Sequence, residues 1–249
     1  LGLSAVTICS QLPVFAAEET AQATDTATQP QTADPSVVTT NGIDGWPQAS
    51  DISSTAAIVM ETSTNTVLYS KNADQALYPA SAVKVMTCLV ALENSSLDDQ
   101  VTMTATGVSG VTDGGANISS QLDEVFTMEQ CLYAIMVASA NDIALQVAEH
   151  VGGSVDAFVQ TMNTRAQELG CTNTVFTNPT GLPDENQHIT AHDMALIMEA
   201  AMANETFRTI AATTSYTLPA TNVSGGERVL TNSFTMINNA SDGYYEPCI

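Results

Sequence analysis

Apolar and polar residues alternate in two different rhythms along this chain. Residues 56–62 (AAIVMET) and 66–70 (TVLYS) are short runs rich in β-branched residues, separated by the polar Ser63-Thr64-Asn65. Runs of that kind around a polar break predict an antiparallel hairpin. From residue 81 the rhythm changes. Residues 81–93 (SAVKVMTCLVALE) are apolar nearly all round, as in a helix enclosed by other elements. Residues 128–137 form a second apolar helical run, and a Ser-Ala-Asn-Asp corner leads to a third at 143–150, stopped by Gly152-Gly153. Residues 155–169 have amphipathic helical spacing and end at Gly170; residues 190–202 read as a helix with Thr190 as N-cap and Asp193 three positions on. From Ser215 short strands return. Strands, then helices, then strands imply an α/β (α+β) chain whose antiparallel sheet layer is interrupted by a helical insertion.

The first 45 residues follow neither rhythm. Residues 1–17 (LGLSAVTICSQLPVFAA) are apolar, uncharged and end in small residues, with Val14 and Ala16 suiting the −3 and −1 positions of a secretory cleavage site. They read as a partial signal peptide lacking its initiator Met and basic start, and are too short to span a membrane. Residues 18–45 are rich in Thr, Ala, Gln and Pro and hold few large apolar groups, so they read as a disordered linker. The folded domain is expected over 46–249.

Charge narrows the function classes. Lys plus Arg number 5 against 27 Asp plus Glu, a formal charge of −22, which repels phosphate backbones and argues against nucleic acid or an anionic membrane as partner. Of the 5 cysteines, Cys9 lies in the signal region; Cys88 and Cys131 fall inside apolar helical runs and read as buried thiols. Cys171 and Cys248 carry no spacing that fixes a pairing. No Cys/His cluster suggests a metal, and no cofactor motif is present. His188 and His192 are four apart, but His188 precedes the Thr190 cap and no third ligand accompanies them.

In so lysine-poor a chain, Lys84 stands out. It sits among Val83, Val85, Met86, Cys88 and Leu89, where burial lowers an amine's proton affinity and frees it to act as a general base. Ser81 lies three residues earlier, on the same helical face and behind Pro79-Ala80, at an end where amides and the helix dipole favour developing negative charge. A hydroxyl beside such an amine is an activated nucleophile. Ser139-Ala140-Asn141, between two apolar helices, places a hydroxyl and an amide where they could relay a proton and hold a substrate amide. Each motif alone also has a plain structural reading: Ser81 as an N-cap, Lys84 snorkelling to the helix edge, Ser139 or Asn141 capping the next helix.

Together, S-x-x-K and S-x-N are two of three elements of penicillin-recognising serine enzymes. The surrounding text, Tyr78-Pro-Ala-Ser-Ala-Val-Lys-Val-Met-Thr, Ala138-Ser-Ala-Asn-Asp, Phe176-Thr-Asn-Pro-Thr-Gly-Leu and His188-Ile-Thr-Ala-His-Asp-Met-Ala, resembles the D-alanyl-D-alanine carboxypeptidases among low-molecular-mass penicillin-binding proteins. The resemblance runs from about Trp46 to the last residue. It implies a β-lactamase/transpeptidase-like fold and an exported enzyme at the cell wall or the outer face of the cytoplasmic membrane. By it, Ser81 attacks the bond between the terminal D-alanines of a peptidoglycan stem peptide. Lys84 takes the serine proton, Ser139 helps carry it to the leaving D-alanine, Asn141 holds the substrate amide, and the Ser81 amide supplies half of an oxyanion hole. β-Lactams would acylate the same serine.

The family's third element, K-T-G, does not occur, and residues 243–249 (GYYEPCI) look like the approach to it. The chain therefore reads as a fragment clipped at both ends. Its later strands and any C-terminal membrane anchor would be missing, and as it stands it is expected to be inactive. Asn178-Pro179-Thr180-Gly181 reads as a turn before Leu182. A D,D-endopeptidase of the same family would share every motif. A non-catalytic cell-wall binding protein with a degenerate cleft is the alternative of another class. A class A β-lactamase fits less well, because the second motif is Ser-Ala-Asn.

Overall fold

The computed structural model describes residues 39–46, 48–50, 52–110, 115–237 and 242–243. The residues read as a signal peptide, most of those read as a linker, and residues 244–249 with Cys248 lie outside the described residues. The chain divides into two compact units, Leu1–Gln75 with Thr190–Ala195 and Ala76–Ile189 with Leu196–Ile249. That division is finer than the single folded region read from the sequence.

The first unit is built on the expected hairpin. Strand β1 (Ala57–Glu61) pairs antiparallel with β2 (Thr66–Lys71), setting Ile58 opposite Ser70 and Val59 opposite Tyr69, with a bulge between Val59 and Met60. The Glu61 carboxylate accepts the amides of Ser63 and Thr64, each at 2.9 Å, which folds the chain back. Asn65 completes the turn at φ 54°, a left-handed conformation that asparagine tolerates better than most residues. Thr39 and Thr40, which the sequence places in the linker, bond this hairpin: the Thr39 amide donates to the Ser70 carbonyl at 2.8 Å, and the Ser70 amide donates to Thr40 Oγ1 at 3.1 Å. Thr190 Oγ1 accepts the Asp193 amide at 3.0 Å, making it the N-cap that the sequence indicates.

The second unit is mainly helical. A 3₁₀ turn (Ala80–Ala82) runs into α1 (Val83–Asn94), whose residues Val83 to Ala91 are all buried; this is why the segment is apolar on every face. Strand β3 (Gln100–Thr102) and β4 (Val125–Thr127) pair antiparallel around the short helix α2 (Ala105–Ser109). Three-residue strands carry too little period-2 signal to read from sequence. Helix α3 (Met128–Ala138) opens with a Thr127–Gln130 capping box, and α4 (Asn141–Gly152) ends on Gly153 at φ 73°. Helix α5 (Val155–Glu168), helix α6 (Ala191–Ala203), which belongs to this unit from Leu196 on, and α7 (Glu205–Ala211) precede the hairpin of β5 (Ser215–Leu218) and β6 (Arg228–Thr231).

Helix α1 packs against α3, α4 and α5 over a core that includes Met86, Leu132, Ile143, Phe158 and Met162. The Tyr133 and Tyr216 rings stack at 3.9 Å, joining α3 to β5. Arg228 of β6 donates to both carboxylate oxygens of the fully buried Glu124, at 2.8 and 3.0 Å. Among the described residues the strands form three separate antiparallel pairs, so the expected sheet layer appears as pieces rather than one surface. Cys88 and Cys131 are buried and free, as their apolar helices imply. No described helix is long and apolar enough to cross a membrane.

Candidate active site

The candidate residues sit in the second unit, where the 3₁₀ turn meets α1. The helix cap falls on Ala82, with no side-chain bond, so Ser81 is not the N-cap. Its side chain is exposed, and Ala80 just before it takes φ 47°, a left-handed conformation costly for a non-glycine residue. Lys84 follows one turn later and is only 3% exposed. Its Nζ donates to Ser81 Oγ at 3.3 Å and to the Thr180 carbonyl at 2.5 Å.

Burial in the α1 core is the main reason the Lys84 ammonium is pushed down to about 8, with Cys88 opposing. Burial also pushes the Cys88 thiol up, leaving it neutral and uninvolved as a base. At pH 7 about one Lys84 in ten is therefore neutral, against about three in ten thousand for an unperturbed lysine. The snorkelling alternative does not hold: the amine points to a buried carbonyl and to the serine.

The third group arrives from the corner between α3 and α4. Ser139 is the C-cap of α3 at φ 56°, and Ala140, which offers no side-chain cap, is the N-cap of α4. The capping reading of Ser139 and Asn141 therefore fails. Instead Ser139 Oγ donates to Ser81 Oγ at 3.0 Å. Asn141 opens α4 and is 5% exposed; its backbone N–H donates to the Ala116 carbonyl at 2.8 Å, while its side-chain Oδ1 has no partner among the described residues. It is thus a buried side-chain acceptor without a protein partner among the described residues, two positions from Ser139. Next to it, buried Asp142 accepts the Ser120 amide and hydroxyl at 3.1 and 2.7 Å, and so fixes the neighbouring loop.

The 178–182 turn has a larger part than its sequence suggested. Beyond the Thr180 carbonyl on Lys84, the Pro179 carbonyl accepts Thr87 Oγ1 of α1 at 2.7 Å. Gly181, at φ 84°, lies so close to the Ala80–Ser81 backbone that a Cβ there would stand 1.9 Å from the Ala80 oxygen. A mostly apolar hollow lined by Tyr78, Pro79, Ala80 and Leu182 opens beside this contact. The Asn-Pro-Thr-Gly text signals a turn, but nothing in it signals that a main-chain oxygen meets a lysine.

The histidines play no part in this cluster. His188 Nδ1 lies 3.0 Å from the Asn186 carbonyl and His192 Nδ1 lies 3.4 Å from Asp74 Oδ1. Among the described residues no group of three His, Cys, Asp or Glu side chains could hold a metal ion.

An exposed hydroxyl, a buried amine of lowered proton affinity and a second hydroxyl thus stand in hydrogen-bonded sequence, the kind of arrangement that can activate a nucleophile. A Bacillus subtilis D-alanyl-D-alanine carboxypeptidase, DacF, is 37% identical over 155 residues, covering 60% of this chain and 39% of that protein. A Pseudomonas aeruginosa D-alanyl-D-alanine endopeptidase is 32% identical over 157 residues, covering 63% of this chain and 50% of its own. Among solved structures, a mutant of the Streptomyces K15 DD-transpeptidase superposes with a TM-score of 0.72 at 29% identity, over 76% of this chain and 78% of that one. The chain spans well under two thirds of the length of the first curated relatives it matches, 39%, 37% and 58%. The family model for D-alanyl-D-alanine carboxypeptidase, peptidase S11, matches residues 44–244. By that match this chain belongs to the peptidase S11 family of D-alanyl-D-alanine carboxypeptidases.

Proposed function

We propose that the protein is an exported serine D,D-carboxypeptidase that removes the terminal D-alanine from peptidoglycan stem pentapeptides outside the cytoplasmic membrane. The observation that carries this reading is the chain of bonds from Ser139 Oγ to Ser81 Oγ to Lys84 Nζ, at 3.0 and 3.3 Å. Neutral Lys84 accepts the Ser81 proton as Oγ attacks the carbonyl carbon between the two D-alanines. A tetrahedral oxyanion forms, for which the Ser81 amide at the start of the helix is one donor. The C–N bond then breaks. The proton passes from Lys84 by way of Ser139 to the departing D-alanine nitrogen, leaving an ester on Ser81. Water, deprotonated by Lys84, hydrolyses that ester and restores the hydroxyl. Asn141 Oδ1 accepts a substrate amide N–H. A β-lactam opens on Ser81 by the same attack, but its leaving group stays tethered, so the adduct persists.

The resemblance to an endopeptidase supports a second reading of the same site, in which the peptide cut is a cross-link. Both readings predict that a fluorescent penicillin labels the natural full-length protein at Ser81, and that Ser81→Ala abolishes labelling. Release of D-alanine from a pentapeptide, against cleavage of a cross-linked dimer, separates the two. A full-length protein that binds stem peptide yet takes no penicillin adduct overturns both, in favour of a non-catalytic binding protein.

A further inference from the structure

The turn at residues 178–182 is tied more tightly than a connection between strand bridge and loop requires. Asn178 Oδ1 accepts three hydrogen bonds, from the Thr180 amide at 3.1 Å, the Thr180 hydroxyl at 2.8 Å and the Gly181 amide at 2.8 Å. Its Nδ2 donates to the Leu182 carbonyl at 3.0 Å. One carboxamide thus closes the turn from inside. Buried Gln187 clasps it from outside, accepting the Thr177 and Asn178 amides and donating to the Leu182 carbonyl.

The turn so fixed makes two contacts with the reacting groups. The buried Thr180 carbonyl receives Lys84 Nζ, and Gly181 lies flush on the Ala80–Ser81 backbone. A lysine side chain carries about 2 kcal/mol of rotamer entropy, so an amine held at only one point would wander among conformers. The Thr180 oxygen is the second point, opposite Ser81. We propose that Asn178 is a positioning residue for the nucleophile–base pair: its carboxamide folds the 178–182 turn into the one shape that sets the Thr180 carbonyl on Lys84 and Gly181 against Ser81. This rests on the reading of Lys84 as the base.

Without the Asn178 side chain the Thr180 and Gly181 amides lose their acceptor and recruit water, which opens the turn toward Nζ. The groups facing Nζ are the Ser81 hydroxyl, with Ser139 behind it, the Thr180 carbonyl, and the neutral Cys88 thiol of α1. Asp142, from α4, is committed to Ser120 and Ile118. Hydration of the amine is therefore the change that matters, and it raises the pH at which Lys84 becomes a base.

The test uses the natural full-length protein and measures the second-order rate of acylation by a fluorescent penicillin from about pH 6 to about pH 10. Asn178→Ala is expected to slow acylation at pH 7 about tenfold and to move the acid limb up by about one unit. Thr180→Val, isosteric but lacking the hydroxyl that Asn178 holds, should move the limb the same way by a smaller step, and Thr180→Ser should keep the parental profile. A folded Asn178→Ala with the parental acid limb overturns the proposal, because a purely structural tie lowers Tm without moving that limb. If Asn178→Ala does not fold, the comparison of Thr180→Val with Thr180→Ser decides, and identical limbs overturn it. Failure of the parent itself to form an adduct on Ser81 defeats the functional reading, and the positioning role falls with it.

Discussion

Ser139 Oγ stands 3.0 Å from Ser81 Oγ, although 58 positions of chain separate the two residues. The backbone of Ser139 is held at φ 56° to make this meeting, a conformation that costs a serine about 1 kcal/mol or more. Ser139→Ala removes the hydroxyl and leaves the corner's packing in place. Acylation by penicillin should fall by roughly 10²-fold, the usual scale of a lost proton-transfer partner. Tm should change by no more than a few degrees. Equal acylation rates in parent and variant would show that the proton takes another path.

Lys84 links both stability and, on the proposed reading, activity to pH, and with the same sign. Its folded-state value of about 8 lies below the ordinary 10.5, so the folded protein binds fewer protons than the unfolded chain between those values. Stability therefore rises with pH across that window, and below about pH 8 the buried ammonium costs on the order of 3 kcal/mol. With Lys84 as the proposed base, acylation should likewise rise as the pH passes about 8, because only a neutral amine can accept the Ser81 proton. Lys84→Met should abolish acylation. Its Tm, relative to the parent, should be highest near pH 7, and that advantage should shrink toward pH 10. A difference that does not vary with pH would contradict a buried, weakened base.

What could be read from the sequence was what local spacing encodes. Ser81 and Lys84 are one helical turn apart, so their contact follows from the period of the helix. The all-apolar α1, the hairpin from Ala57 to Lys71 and the Thr190 cap are likewise local patterns. Ser139 was recognised as a candidate by its motif, yet its own neighbourhood favoured a cap, and only the packing of α1 against α3 brings it to Ser81. The Thr180 contribution is a main-chain oxygen, which every residue has, so no residue type could announce it. The β3–β4 pair and α2 were missed because elements of three to five residues hold less than two periods of any pattern.

Gly181 is the position where the least addition should do the most harm. A Cβ there would meet the Ala80 oxygen at 1.9 Å and the Ser81 nitrogen at 2.9 Å, both backbone atoms with no rotamer to yield. The φ of 84° adds a further penalty for any L side chain, of about 1–2 kcal/mol. Gly181→Ala should therefore lower stability by roughly 2 kcal/mol or more and push the Ser81 backbone out of line. Thermal unfolding and penicillin labelling should both suffer, labelling the more. Labelling at the parental rate would mean that the turn and the 3₁₀ segment move apart freely.

Glu124 and Arg228 provide a test of the fold away from the chemistry. The carboxylate is fully buried and accepts Arg228 Nη2 at 2.8 and 3.0 Å, Thr221 Oγ1 at 2.6 Å and the Gln121 amide at 3.0 Å. The guanidinium also lies 5.7 Å from the centre of the Phe126 ring. Four accepted bonds explain how a charge is tolerated there, since each lone pair is met. Arg228→Met keeps an apolar stem but removes the guanidinium and strands a buried carboxylate, which costs about 3–5 kcal/mol. Replacing both partners, with Glu124→Gln added, should recover part of that loss, because the amide carries no charge and its one oxygen can still accept from either Thr221 or Gln121. Denaturant unfolding of the parent, the single variant and the double variant closes the comparison. If the double variant is no more stable than Arg228→Met, the cost lies in lost packing over Phe126 rather than in the stranded charge.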